Sequence, residues 1–132
     1  PGLNAANAPV TINAKMLGLS AQKTYDGTTS LANAVTLNGL VSGESLTYTG
    51  ATASDANVAT VGKYITAINL ADGAGGLASD YVRPTLNVSN APVTIDPKVI
   101  TLSAQKTYDG TTDLSNAVVL AGLVSGEALM VR

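Results

Sequence analysis

The chain has 132 residues, 45% of them hydrophobic, but no Phe, no Trp and only five Tyr, so its core must consist of Val, Leu, Ile and Ala. Its net charge is −2 and its seven basic residues are scattered singly, which excludes the basic surface typical of proteins that bind nucleic acid or anionic membranes. It also lacks Cys and His, which excludes thiolate and imidazole catalysis and the usual zinc and haem ligands, so we expect no enzyme activity and no cofactor.

Short strands separated by Gly, Asn and Asp turn signals are predicted along the whole chain. The predicted strands are 15–21, 34–38, 44–52, 58–61, 64–70 and 85–95. Apolar and polar residues alternate most clearly in SLTYT and KYITAINL, which is typical of half-buried strands. No segment has a helical period, and no apolar run is long enough to insert into a membrane. We therefore predict an all-β fold, either a small antiparallel β-sandwich or a β-grasp-like module in tandem repeat.

The stretch LSAQKTYDGTT occurs unchanged at 19–29 and again at 102–112. Asp-Gly is a strong turn signal, because Gly tolerates positive φ and an Asp side chain accepts a hydrogen bond from a downstream backbone N–H. We predict a structural turn, with the Thr hydroxyls completing it. Its residues are Tyr25, Asp26, Gly27 and Thr28 in the first stretch, and Tyr108, Asp109, Gly110 and Thr111 in the second.

An offset of 83 residues aligns residues 1–49 with residues 84–132 without a gap. NAPVTI (7–12 and 90–95) and GLVSGE (39–44 and 122–127) are also identical. Because Pro97 interrupts two β-type segments, we place the module boundary there. The predicted domains are the last strand of a preceding module (1–13), a complete module (14–96) and the incomplete second copy (97–132). We expect the chain to be part of a longer one, since it begins at Pro1, and the second copy to be ordered by the complete module or by another chain.

Three kinds of chemical site compete with the structural interpretation of these residues. One is a carboxylate pair for hydrolysis, Asp26 with Glu44, although the chain lacks aromatic platforms to hold a sugar. Loop carboxylates are candidate ligands for a cation, although no calcium-loop spacing is present. A Lys–Asn isopeptide crosslink beside a carboxylate is the third hypothesis. The candidate residues are Asp26, Asp72 and Asp80 for the cation, and Lys23, Asn33 and Glu44 for the crosslink. The glycine-rich segment 72–80 has no strand–helix context for binding phosphate, and we predict a flexible loop there.

Five features follow one another along the chain: YDGTT at 25–29, GLVSGE at 39–44, NVATVGK at 57–63, Tyr81, and IDPK at 95–98. In this order they resemble the YDG repeat of large secreted bacterial adhesins, including filamentous-haemagglutinin-like proteins exported by two-partner secretion. The resemblance implies a tandem β-module of an extended surface protein, an extracellular or cell-surface location in bacteria, and no catalytic residues. It covers essentially the whole chain.

Three functions follow as hypotheses. The first is a structural stalk or spacer module that contacts neighbouring repeats of the same protein and serves adhesion or contact with a biofilm matrix. The second is a module that binds a host or matrix glycan or protein through exposed aromatic residues, for which Tyr48, Tyr64 and Tyr81 are the candidates. The third is a fibre subunit that self-associates when unpaired strands of neighbouring chains complete one another.

Overall fold

Nine β-strands and one short 3-10 helix make up the computed structural model, which describes residues 2–131. The strands are β1 (Lys15–Met16), β2 (Gly18–Thr24), β3 (Val35–Asn38), β4 (Leu46–Ala53), β5 (Ile65–Asp72), β6 (Tyr81–Val82), β7 (Val93–Asp96), β8 (Thr101–Ala104) and β9 (Val118–Ala121). The 3-10 helix is Ala78–Asp80. The all-β prediction is confirmed, since no α-helix occurs within residues 2–131.

The strands form four small sheets. In the largest, β2 lies in the centre, antiparallel to β3 and parallel to β7. Strands β1 and β6 also pair in parallel, while β4 with β5 and β8 with β9 are antiparallel. The sheets therefore combine parallel and antiparallel pairing. Parallel neighbours need a long crossover connection, and here the chain between β2 and β7 provides it.

One main apolar cluster holds the complete module together. Alternate residues of β2 and β7 point into it, because successive side chains of a strand face opposite sides. Its buried members are Leu19, Ala21, Leu31, Ala51, Ala53, Ile65, Ile68, Ala91, Val93 and Ile95. A smaller cluster of Leu17, Leu46 and Tyr81 lies next to β1 and β6. Burial of each Leu, Ile or Val contributes roughly 1.5–3 kcal/mol.

One predicted strand and the first part of another are loops in the structure, and side-chain hydrogen bonds stabilise both loops. The prediction for 85–95 is wrong before β7, because the Oδ1 atom of Asn87 accepts a hydrogen bond from the Asn90 N–H at 2.8 Å and forms a turn. Segment 58–61 is a loop whose Val58 and Thr60 carbonyls accept hydrogen bonds from the Lys63 ammonium at 3.1 and 2.6 Å. Such contacts compete with strand pairing. Strand β6 was not predicted.

Within the glycine-rich segment 72–80, where a flexible loop was expected, residues 73–76 form a tight turn between β5 and the 3-10 helix. Gly73 and Gly76 exchange two backbone hydrogen bonds, of 3.1 and 3.4 Å. The Ala74 carbonyl accepts hydrogen bonds from the Ser45 N–H at 3.2 Å and the Ser45 hydroxyl at 3.0 Å. A Cβ atom at Gly73 would lie 2.5 Å from the Ser45 carbonyl oxygen, so this close approach of two backbone segments requires glycine.

Identical sequences are buried in one copy and exposed in the other. The pairing register of β8 with β9 repeats that of β2 with β3. However, Leu19 in β2 is 2% exposed and its equivalent Leu102 in β8 is 67% exposed. The first paired strand of the closed module begins at Lys15 and its last ends at Asp96. The second copy thus forms the same hairpin without a core over it in the described part of the chain.

Candidate functional site

The loop that follows β2 is organised around the ammonium group of Lys23. Its Nζ atom donates hydrogen bonds to Asp26 Oδ1 at 2.7 Å, to the Thr28 carbonyl at 2.9 Å and to the Ser30 carbonyl at 2.7 Å. Asp26 Oδ1 also accepts the Thr28 N–H at 3.0 Å and the Thr28 hydroxyl at 2.9 Å. Gly27 adopts the positive φ of 80° that the turn requires. We call residues 23–30 the Lys-Asp loop.

The second copy builds the same loop from the same residue types. Lys106 Nζ donates hydrogen bonds to Asp109 Oδ1 at 2.8 Å, to the Thr111 carbonyl at 2.9 Å and to the Asp113 carbonyl at 2.6 Å. Gly110 has a φ of 79°. Because this copy has no core packed over it, bonds within eight consecutive residues are sufficient to define the loop.

The Lys-Asp loop stabilises the ionised form of its aspartate. The hydrogen bond from Lys23, followed by the one from the Thr28 N–H, lowers the pKa of Asp26 from 3.8 to about 2. The hydrogen bond from Lys106 likewise lowers the pKa of Asp109. These carboxylates are therefore charged and already bonded at neutral pH, which suits a structural turn and leaves little affinity for a cation.

Replacing Asp26 with Asn should weaken the dependence of module stability on acid pH. A carboxylate whose pKa falls on folding adds stability above its unfolded pKa of 3.8 and loses it as the pH falls through about 2. We expect a difference of less than about 1 kcal/mol, because solvent screens the half-exposed pair. Thermal unfolding of the wild type and D26N at pH 5 to 2 measures it. D109N, which lies outside the complete module, is the control, and an unchanged pH profile for D26N would contradict the role of the ion pair.

The side chain of the motif tyrosine makes none of the hydrogen bonds of the Lys-Asp loop. The hydroxyl of Tyr25 instead donates a hydrogen bond to Glu127 of the second copy. Within the module, the Tyr81 hydroxyl donates to Glu44 Oε1 at 2.5 Å and accepts the Val41 N–H at 3.0 Å. The repeat offset aligns Glu127 with Glu44. The same glutamate position thus binds one tyrosine inside a module and another across the junction between copies.

A family model for the YDG domain matches residues 7–88. The chain belongs to the YDG domain family. The matched span 7–88 begins before the closed module of the structure. Each span contains one copy of the YDG domain repeat, because the peptide at 7–12 occurs again at 90–95. No curated protein and no solved structure matches the chain. Within residues 2–131 of this YDG domain chain, no helix is long and apolar enough to cross a membrane.

The tyrosines named as candidate ligand contacts serve mainly the interior of the YDG domain. Tyr81 is 7% exposed, which contradicts its selection as an exposed aromatic contact. Tyr48 packs against the main core, and its hydroxyl accepts the Val35 N–H at 3.0 Å. Tyr64 is half-buried, and its backbone bonds to Ser54. The structure therefore does not bring the three rings together on one free surface.

The residues named for a cation or a crosslink are engaged in separate contacts. Asp72 Oδ1 accepts the Ala78 N–H at 2.8 Å, close to Asp80 in sequence but away from the Lys-Asp loop. Among residues 2–131, no three acidic side chains converge as metal ligands. For the crosslink, Lys23 is bound in its loop, Glu44 bonds Tyr81, and Asn33 occupies a left-handed turn with a φ of 62°. The geometry supports neither site.

Two residues of structural importance in this YDG domain were missed as sites. Lys63 is 7% exposed, and its ammonium group donates hydrogen bonds to backbone carbonyls of the loop before β5. Glu127 accepts a hydrogen bond from the Tyr25 hydroxyl. A signal for the glutamate was present in the sequence, because GLVSGE is identical in both copies although most of it is exposed. No local pattern indicated which residue binds it, since Tyr25 and Glu127 are far apart in the chain.

Proposed function

We propose that this YDG domain is a structural repeat in the stalk of a bacterial cell-surface or secreted adhesin, mediating reach and attachment. The parallel pairing of β2 with β7 carries the proposal. The chain enters the module at β1, runs along β2, and leaves at Asp96, which pairs with Thr24 at the far end of β2. The seven residues of β2 advance the chain by roughly 23 Å, at about 3.3 Å per residue. Each module therefore takes the chain in at one end and releases it at the other.

The connection between the copies supports the same arrangement. Only residues 97–100 separate β7 from β8, and the first of them is Pro97, whose ring restricts its backbone. A short connection that contains proline keeps successive copies close and limits their swing. Modules that mainly contact their neighbours then form a semi-rigid row. The adhesin context and the surface location rest on the ordered motifs that this chain shares with YDG repeats of secreted adhesins.

Small-angle X-ray scattering of chains with one, two and three complete copies tests the stalk. We expect the maximum dimension to grow by roughly 30–45 Å for each added copy, the length of the extended segment 15–24, which contains β1 and β2, plus the connection. Growth far below this value would mean that the copies fold back on each other, and would overturn the proposal. Labelling of intact bacterial cells with an antibody against the module tests the location, and signal only after permeabilisation would contradict it.

Assembly by strand complementation is a second candidate function, favoured by one observation. Val10 and Ile12 in the first NAPVTI are 81% and 89% exposed, while the identical peptide at 90–95 packs beside β2. Residues 102–104 of β8 repeat residues 19–21 of β2, and within residues 2–131 strand β8 pairs only with β9. Residues 7–12 of one chain therefore fit beside β8 of another. Scattering of the 132-residue chain over a range of concentrations decides between the two, because complementation requires the mass to rise with concentration.

A further inference from the structure

The tyrosine side chain of the YDG motif makes no hydrogen bond within the Lys-Asp loop. Lysine, aspartate, glycine and the first threonine all take part in the Lys-Asp loop, which forms in both copies. In the second copy, Tyr108 is 92% exposed, yet the loop around it keeps the same hydrogen bonds. The local structure of the motif therefore does not depend on its tyrosine, and the role of this side chain must lie outside the loop.

In the first copy, this side chain meets the GLVSGE segment of the second copy. Tyr25 packs its ring against the main core and donates its hydroxyl to Glu127 Oε2. A Cβ atom added to Gly27 would lie 3.1 Å from Val124 Cγ1 and 3.5 Å from Glu127 Oε2, so the two segments touch at the turn itself. A mainly apolar cleft of about 370 Å³ continues this contact, lined among others by Val58, Pro97, Ile100 and Leu129.

We propose that the YDG tyrosine is the joint between successive modules, with the GLVSGE segment of the following copy as its partner. The inference rests on the proposed serial arrangement of copies. In this proposal, the contact between Tyr25 and Glu127 fixes the orientation of one module relative to the next. A residue that fixes this orientation turns a row of linked modules into a stiffer rod.

The glutamate has the acceptor capacity that such a series needs. Glu44 Oε1 accepts the hydrogen bond of Tyr81 from its own module. Oε2 of the equivalent Glu127 accepts the hydrogen bond of Tyr25 from the preceding module. A carboxylate has two oxygens and accepts both phenols. In a series of copies, each glutamate thus joins its own module to the one before it, and Tyr108 is positioned to bind the copy that follows.

The joint is expected to open at high pH. The hydrogen bond to Glu127, followed by burial, raises the pKa of Tyr25 above its ordinary value of 10.0. A group whose folded pKa is raised gives its stabilisation below the unfolded pKa and loses it as the pH rises through the folded pKa. The carboxylates that face the phenol are those of Glu127 and Asp26.

Residual dipolar couplings of the 132-residue chain test the joint, because they report whether two segments share one orientation. In the wild type, the amides of β2 and β7 and those of β8 and β9 should fit one common alignment. Y25F and E127Q should each lose it, and the double variant should be no worse than either alone, since both remove one interaction. Y108F is the matched control, because Tyr108 lies in the same motif, is 92% exposed and has no hydrogen-bond partner for its hydroxyl within residues 2–131, and it should retain the common alignment.

The variants G27A and G110A and a titration of Tyr25 test the joint independently. Gly27 and Gly110 share a positive φ, so alanine strains both loops equally, but only G27A also presses on Val124 and should disturb the alignment. The pKa of Tyr25, followed by NMR of its ring, should move towards 10 in E127Q. Retention of the common alignment in Y25F and E127Q would overturn the joint, even if the copies still extend in series. If the maximum dimension does not grow with copy number but the wild type keeps the common alignment, only the proposed stalk is overturned.

Discussion

Leu31→Ala should lower the free energy of unfolding of the complete module by about 2–5 kcal/mol, the usual cost of deleting a fully buried leucine side chain. Leu31 is 0% exposed and lies in the main core, which contains no Phe or Trp to close over a cavity. Domains are typically stable by only about 5–15 kcal/mol, so this loss removes a large share of the total. Urea unfolding followed by circular dichroism measures the change.

The second copy provides the matched control for this substitution. Leu114 occupies the equivalent position after the second motif, but it is 43% exposed. We expect L114A to change the unfolding free energy by less than about 0.5 kcal/mol, as surface substitutions generally do. Equal effects of the two variants would contradict the structure, because they would show that both copies have a core of similar quality.

Ile95→Ala should also destabilise the module by about 2–5 kcal/mol. Ile95 lies in β7, is 3% exposed, and holds the last strand against β2. Ile12 in the identical peptide NAPVTI is 89% exposed, so I12A should change stability by less than about 0.5 kcal/mol. Urea unfolding under the same conditions measures the free energy of unfolding of both variants. It thus compares the last residue of NAPVTI at its two places in the chain.

The comparison also determines which residues form the folded unit. The YDG family match spans 7–88, whereas the closed module of the structure spans 15–96 and uses the second NAPVTI as its last strand. Loss of stability in I12A but not in I95A would show that the first NAPVTI completes the module, and the parallel β2–β7 pairing would then be wrong. The proposed direction of the stalk depends on this pairing, so the experiment bears on the function as well.

Much of the local structure was predictable because it depends on bonds between near neighbours. The KTYDGTT turn has the same hydrogen bonds at Asp26 and at Asp109, although one copy is packed and the other is exposed. Alternation of apolar and polar residues likewise predicted β4 and β5 within two residues at each end. Turns and half-buried strands have short-range signatures that are present wherever the sequence occurs.

Contacts between distant segments were not predictable from the same patterns. The glycines of segment 72–80 suggested flexibility, but Gly73 is required where its backbone approaches Ser45. Gly73 and Ser45 are far apart in the chain, so no local pattern indicated that they meet. Asn87 and Lys63 instead bond to backbone groups within five residues, and these local contacts were missed because the apolar residues of 85–95 and 58–61 also fit strands.

The sequence by itself determined an all-β chain with an 83-residue repeat and a self-contained Lys-Asp loop in each copy. Only the tertiary structure decided which of two identical peptides is buried, which strands pair in parallel, and which YDG tyrosine has a partner. The physical reason is that burial and strand pairing depend on the other segments that reach a site, whereas identical sequences have identical local preferences. Val93 is 7% exposed and its equivalent Val10 is 81% exposed for this reason alone.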